Sequence, residues 1–477
     1  MESSDSPQPD RAAPAVLWLR RELRVHDNAA LAAAVATGRP VLPVFVLDDF
    51  TPGAWKLGGA QRWWLHHSLK SLGAELLARG APLLLLRGAI AEVIPSLMAR
   101  VGAAEIHAGR SVEPWARRVE ADLREKLGDR LRLHRTGTLF EMDAIRTQGG
   151  GPYHVFTPFS RACRARGGPD APIAAPRSIR SLAHPPPGED LDTWGLLPTQ
   201  PDWASGFRDT WTPGEAGAAN RLRHVAARIV ADYDRTRNFP GQDGTSMLSP
   251  HLHWGELSPG QVWRAAARAA EGGGLDTFVN ELLWREFSAH LLWHHPDLPE
   301  QPLRPEFSGM PWQSDEMALR DWRRGQTGVP IVDAGMRQLW HTGWMHNRVR
   351  MIVASFLVKH LLIPWRDGEN WFWDTLVDAD LASNAAQWQW VAGCGADAAP
   401  FFRVFNPVLQ GQKFDADGAY VRRWVPELAG VAQKYIHAPW EAPPLERPRG
   451  YPAPIVDLAA GRARALDAFR RLSKSAA

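Results

Sequence analysis

A chain of 477 residues, 45% hydrophobic and 22% charged, is long enough for about two domains with separate apolar cores, which excludes a fibrous or largely disordered protein. Its formal charge of +3 permits a polyanionic partner without demanding one. With only Cys163 and Cys394, no disulfide framework or zinc cluster can be drawn, no metal is expected, and reduced cytoplasm is the natural compartment.

Residues 1–14 are polar and proline-bearing and read as a disordered tail, and no run approaches the roughly 18 apolar residues of a membrane span. Short apolar runs follow at Val16–Leu19, Val41–Leu47, Leu83–Leu86, Glu105–Ala108 and Leu131–His134. Amphipathic segments near Ala29–Val35, Gln61–Ala78, Ala91–Val101 and Pro114–Lys126 separate them. That rhythm predicts an α/β domain over 15–145 built on a doubly wound parallel sheet of about five strands. Neither a GxGxxG nor a Walker A motif follows the first run, so no phosphate fingerprint places a nucleotide in this half. Residues 146–215, with Gly149-Gly150-Gly151 and Pro185-Pro186-Pro187-Gly188, read as a long inter-domain linker, and 216–477 as a larger, nearly all-helical domain.

The chemistry clusters in that second half. Tryptophan occurs 23 times against 5 tyrosines, and indole can pack, stack on a base or pass an electron. Asn384 and Trp388 lie four apart and share a helix face, just after Asp378 and Asp380, a mixture that suggests a buried aromatic cofactor. Asn347, Arg350 and Met351 share another face, and a buried Arg350 needs a carboxylate, for which Asp378 and Asp380 both qualify. Glu281, Trp284 and Arg285 form a third such set, able to read a heterocycle's edge and plane. Thr245-Ser246-Met247-Leu248-Ser249-Pro250 offers hydroxyls and amides before a helical pattern, where phosphate is favoured. Taken singly, each has a plain reading as core packing, a salt-bridged rim or an N-cap. Arg221, Arg223, Arg228, Arg235, Arg237, Arg320, Arg323, Arg324, Arg348 and Arg403 supply positive charge among the indoles, as expected of a DNA-binding face.

Together these motifs resemble the DNA photolyase and cryptochrome family, from Val16 to about Leu428, closest to the class I cyclobutane pyrimidine dimer photolyases. Trp18-Leu19-Arg20-Arg21-Glu22-Leu23-Arg24-Val25-His26-Asp27-Asn28 opens the first domain, and five further motifs follow in the family's order. The resemblance implies a U-shaped FAD in the helical domain. Tyr233, Thr245, Ser246, Leu248 and Ser249 would hold its diphosphate and ribityl chain, with Met247 standing where the family commonly has arginine. Arg350 and Asp378 resemble the ion pair beside the isoalloxazine, with Asp380 at its polar edge and Asn384 facing N5, and Arg285 and Asn347 would also bind the cofactor. Trp388, Trp365 and Trp312 match an electron-transfer chain from flavin to surface. Glu281, Asn347, Met351, Trp284 and Trp390 resemble the lesion pocket, and Arg237, Arg348 and Arg403 the arginines on the phosphates around it.

The implied activity is light-driven repair: excited reduced FAD lends an electron to a flipped-out pyrimidine dimer and recovers it after the ring opens. The partner is double-stranded or single-stranded DNA carrying such dimers, met by a monomer at the nucleoid. Glu281 is expected to be protonated in that complex, since a carboxylate beside a developing radical anion would repel it. A second, light-harvesting pigment is left open between methenyltetrahydrofolate, a deazaflavin and none. The Asn-Glu pair associated with folate is missing from Glu113-Pro114-Trp115, and Trp55, Trp63 and Trp64 either flank such a pigment or fill a core or interface.

Competing readings are weaker. A plant-type cryptochrome usually has aspartate at the Asn384 position and a long extension beyond the point where this chain stops at Ala477. A (6-4) photoproduct photolyase typically has histidine where Asn347 and Met351 stand. A non-catalytic, tryptophan-rich nucleic-acid-binding protein leaves Asp378, Asp380 and Asn384 without a purpose.

Overall fold

In the computed structural model, which describes residues 13–398 and 402–475, five parallel strands form one sheet in the order β3-β2-β1-β4-β5. The strands are β1 (Ala15–Leu19), β2 (Val41–Leu47), β3 (Leu84–Arg87), β4 (Glu105–Gly109) and β5 (Leu131–His134). β1 and β2 are buried along their whole lengths, which is why they read as continuous apolar runs and not as alternating ones. Helices α1 (Ala29–Ala36), α2 (Gly59–Ala78), α3 (Ile90–Arg100) and α4 (Pro114–Leu127) connect them, so the doubly wound sheet expected from the periodicity is present. The tail expected over 1–14 lies outside the described residues except for Ala13 and Pro14.

The opening motif is a fastener between the two halves. Arg24 is 1% exposed and donates to the carbonyls of Asp27 at 2.7 Å, Thr136 at 2.9 Å and Gly255 at 2.8 Å. Leu23 N–H reaches Trp254 O at 3.1 Å. Gly255 has φ +63, and a Cβ there would lie 1.8 Å from Arg21 O, so only glycine lets the two backbones meet.

The stretch read as a linker is packed and partly helical. Phe156–Ala165 and Ser205–Thr210 are helices, and Phe156 and Phe159 enter the core beside Phe287. Glu286, wholly buried, accepts from the amides of Leu139 and Phe140 at 3.0 and 2.8 Å. Ile179 N–H bonds to Arg79 O, Val41 N–H to Arg180 O, and Glu189 N–H to Leu85 O, tying the stretch along the α/β domain. Glycine and proline signalled irregular backbone correctly, but such backbone can still be fully engaged.

Trp55, Trp63 and Trp64 are buried in the apolar packing of the two halves. Trp64 donates to Glu256 at 3.0 Å and Trp55 to Glu300 at 2.7 Å, while Trp63 packs edge-on against Phe207 at 5.3 Å. Beside them α2 approaches the helix Trp365–Thr375 closely enough that a Cβ on Gly58 would sit 2.4 Å from Asp374 Cα. The helical half includes Gly273–His294, Pro330–Thr342, Asn347–Ser355, Trp365–Thr375, Leu381–Ala392 and Leu458–Ser475. None of the described helices is long and apolar enough to cross a membrane.

Candidate functional site

The helix Leu381–Ala392 packs against three others, Gly273–His294, Asn347–Ser355 and Trp365–Thr375, and thereby gathers the separate sequence motifs around itself. Asp380 begins it as an N-cap, accepting from Ser383 N–H at 2.8 Å. Asp380 is therefore engaged by its own helix, with His253 Nδ1 4.0 Å from its other oxygen. The buried partner of Arg350 is Asp378: one guanidinium nitrogen reaches its oxygens at 2.8 and 3.1 Å, while Nε donates to Met345 O at 2.7 Å. Of the two carboxylates that helical spacing left open, the geometry pairs Arg350 with Asp378, the one implied by the resemblance.

Asn384 is buried and donates through Nδ2 to the main-chain oxygen of Glu369 at 3.0 Å, which leaves its own oxygen without a hydrogen bond. Glu369 is 0% exposed, and neither carboxylate oxygen has a partner. Burial raises its pKa well above the ordinary glutamate range, which favours the protonated form of this side chain on the helix whose backbone Asn384 holds. Sequence reading missed Glu369; an acid on a helix face bearing Trp365 one turn earlier was the signal that could have found it.

Trp388 is 3% exposed and packs edge-on against Phe372 at 5.0 Å and Trp322 at 6.3 Å. Its benzo ring lies over Gly368, where a Cβ would come within 2.1 Å. Trp365 is buried three residues earlier on that helix, and Trp312 is half-buried. Among the described residues Trp388 has no ring-to-ring packing on Trp365, nor Trp365 on Trp312. Trp322, which no sequence motif singled out, is the indole that touches Trp388.

The half-open rim holds the remaining groups. Glu281 pairs with Arg237 at 2.7 Å, so Arg237, expected on phosphate, is occupied here by a carboxylate. Burial raises the Glu281 pKa, opposed by Arg237 and then Arg348. Arg348 donates to Asn238 at 2.7 Å and approaches Met351 Sδ at 3.6 Å, and Asn347 is exposed at the start of the same helix. Trp284 stacks face to face on Phe156 at 3.7 Å and 6°, which covers one side of its ring. Trp390 donates to Asp397 O at 3.1 Å and lines a cleft with the exposed Arg403. Arg285 donates to Gly137 O at 2.7 Å and approaches Leu252 O at 3.4 Å, so its head holds backbone.

Along the other side runs the hydroxyl-bearing loop. Arg221 holds it by donating to Thr245 O at 2.8 Å and Ser246 O at 2.7 Å. Met247 takes φ +51 and packs on the apolar cluster shared with the α/β domain, and a thioether there offers phosphate no donor. Ser246 Oγ accepts from Leu248 N–H at 3.3 Å and Ser249 Oγ from Trp344 at 3.3 Å, while Tyr233 packs on Phe278 with burial raising its phenol pKa.

These groups suit FAD. A guanidinium locked on a carboxylate and an amide anchored through its nitrogen, with its oxygen left available, match the mixed donor and acceptor edge of a flavin, and the buried, unpartnered Glu369 carboxyl is costly unless something hydrogen-bonds to it.

Comparison with known proteins agrees. A family model described as the FAD binding domain of DNA photolyase matches residues 278–471, and one described as DNA photolyase matches 15–177. The deoxyribodipyrimidine photo-lyase of Agrobacterium fabrum is 48% identical, with 98% of this chain and 99% of that one covered. Cryptochrome-1 of Arabidopsis thaliana is 35% identical over 96% of this chain and 70% of its own length. A bacterial class III photolyase from Agrobacterium tumefaciens, solved by crystallography, superposes with a TM-score of 0.94 at 47% identity, covering 99% of this chain and 100% of that one. The architecture and the polar, indole-lined centre are those of a two-domain flavoprotein. The chain belongs to the DNA photolyase family. The likeness to a class III structure does not support the class I placement expected from the motifs; the motifs span what the branches share.

Proposed function

We propose that this protein repairs cyclobutane pyrimidine dimers in DNA under light, as a member of the class III branch. The observation that carries the reading is Asn384, held by Glu369 beside the Arg350–Asp378 pair, in a chain 48% identical along nearly its full length to a deoxyribodipyrimidine photo-lyase. When bound and reduced, the flavin supplies the electron that opens the dimer and takes it back, so no net oxidation occurs. The residues bind, orient and exclude water. Arg350 and Asp378 place a fixed charge pair at the flavin edge, and Asn384 offers a neutral amide near N5, which favours the reduced form. Trp284, backed by Phe156, presents its free face to the flipped dimer across from Trp390, and Asn347 reaches its carbonyls. Arg348 and Arg403 take flanking phosphates.

The direct test is illumination of the reduced protein with a thymine-dimer oligonucleotide, followed by chromatography for restored thymine. Flavin binding without any restored thymine would leave a photoreceptor as the better reading, a role that the 35% identity to a cryptochrome makes the natural second choice. Trp388→Phe is expected to block photoreduction of oxidised flavin while sparing repair by chemically reduced protein, followed by absorbance changes under blue light. Undiminished photoreduction in that variant would remove Trp388 from the electron path.

A further inference from the structure

Arg237 and Glu281 each carry a duty toward the lesion, yet without DNA they neutralise one another at 2.7 Å. We propose that this ion pair is a latch over the lesion pocket: the dimer breaks it on entering, Arg237 passes to a phosphate, and Glu281 takes up one proton from solvent. The inference rests on the repair function proposed above.

The geometry makes Arg237 the movable partner. It follows the short helix Tyr233–Thr236, its guanidinium lies over the Tyr233 ring at 5.5 Å, and its Nε has no partner, so the Glu281 carboxylate is the one anion its head is paired with. Arg348 also has an unpaired Nε but is held at more points, donating to Asn238 at 2.7 Å, approaching Met351 Sδ at 3.6 Å and lying over Phe414 at 4.5 Å. Glu281 shares a helix face with Trp284, the surface on which the dimer settles, so an occupant of the pocket comes between the carboxylate and Arg237. The charged and titratable groups that face Glu281 are Arg237 and Tyr233 on one side and Arg348 on another. His346, behind both arginines, adds no charge, because burial pushes its pKa down to about 3. With Arg237 withdrawn and water displaced, a bare carboxylate is strongly disfavoured, whereas the neutral acid can donate to a dimer carbonyl. Charge then balances: the phosphate is met by Arg237 and the carboxylate by a proton.

The sign follows. In the free protein Arg237 favours the carboxylate, and in the complex it no longer does, so the proton is held more tightly when DNA is bound. Dimer affinity should therefore weaken as pH rises between the free and bound pKa values, by at most about tenfold per pH unit.

Calorimetric titration of the flavin-loaded protein, in two buffers of different ionisation enthalpy near neutral pH, counts the protons. Uptake approaching one proton is expected for a thymine-dimer oligonucleotide and none for the undamaged one. Glu281→Gln should abolish the uptake, and Arg237→Met should diminish it, because Glu281 then lacks, before DNA arrives, the ion pair that favours its charged form. Repair with zero uptake in the wild type, or undiminished uptake in either variant, overturns the latch alone. Absence of any dimer-specific binding by the wild type takes down the repair function and the latch together.

Discussion

Arg24→Leu is expected to lower stability by about 3–5 kcal/mol and to uncouple the two halves, because three carbonyls, two of them buried, lose their donor and each orphaned buried group costs about 1–3 kcal/mol. Two of these carbonyls lie on opposite sides of the junction, Thr136 at the end of the α/β domain and Gly255 in the helical one. The variant should unfold in urea at a lower midpoint and in two steps where the parent shows one, read by flavin absorbance and far-ultraviolet dichroism together. Lysine should not rescue it, since a single ammonium cannot span three acceptors held in a fixed fork. A change below about 1 kcal/mol would show that the carbonyls find other donors and that the fastener is dispensable.

The second large effect is at Asp378. Asp378→Ala leaves Arg350 without its anion among buried neighbours, and breaking a buried pair costs about 3–5 kcal/mol; the side chain of Arg350 is 25% exposed, which places the loss near the lower end. Flavin retention should fall with it. The double substitution Arg350→Met with Asp378→Leu separates the two contributions: stability should largely return, because no charge is stranded, while flavin binding stays lost. If the double variant still copurifies with flavin at the parent's stoichiometry, the pair is structural and the cofactor edge lies elsewhere.

Much of the architecture was legible from periodicity. The runs at Val16–Leu19 and Val41–Leu47 mark strands because a parallel sheet covered on both faces leaves no polar positions to interrupt them, and these two strands are buried throughout. Asn384 with Trp388, and Asn347 with Arg350 and Met351, could be placed on common faces because helical spacing is local. The linker was harder, since glycine and proline report backbone irregularity and say nothing about what the irregular backbone touches; there the structure shows Phe156 backing Trp284 and Ile179 bonded to Arg79.

Sequence alone therefore gives the five strands, the α/β-then-helical order and the helix faces on which Asn384 with Trp388 and Asn347 with Arg350 and Met351 lie, because those rest on periods of two and 3.6 residues. Tertiary structure decides which partner each polar group takes. Asp378 holds Arg350 while Asp380 caps its own helix, Arg237 rests on Glu281, Arg285 is bound to Gly137, and the Glu369 carboxyl lies unpaired on the helix whose backbone Asn384 holds. These pairings join residues as many as 148 positions apart, and a contact between distant segments depends on how the helices pack, which no local pattern encodes.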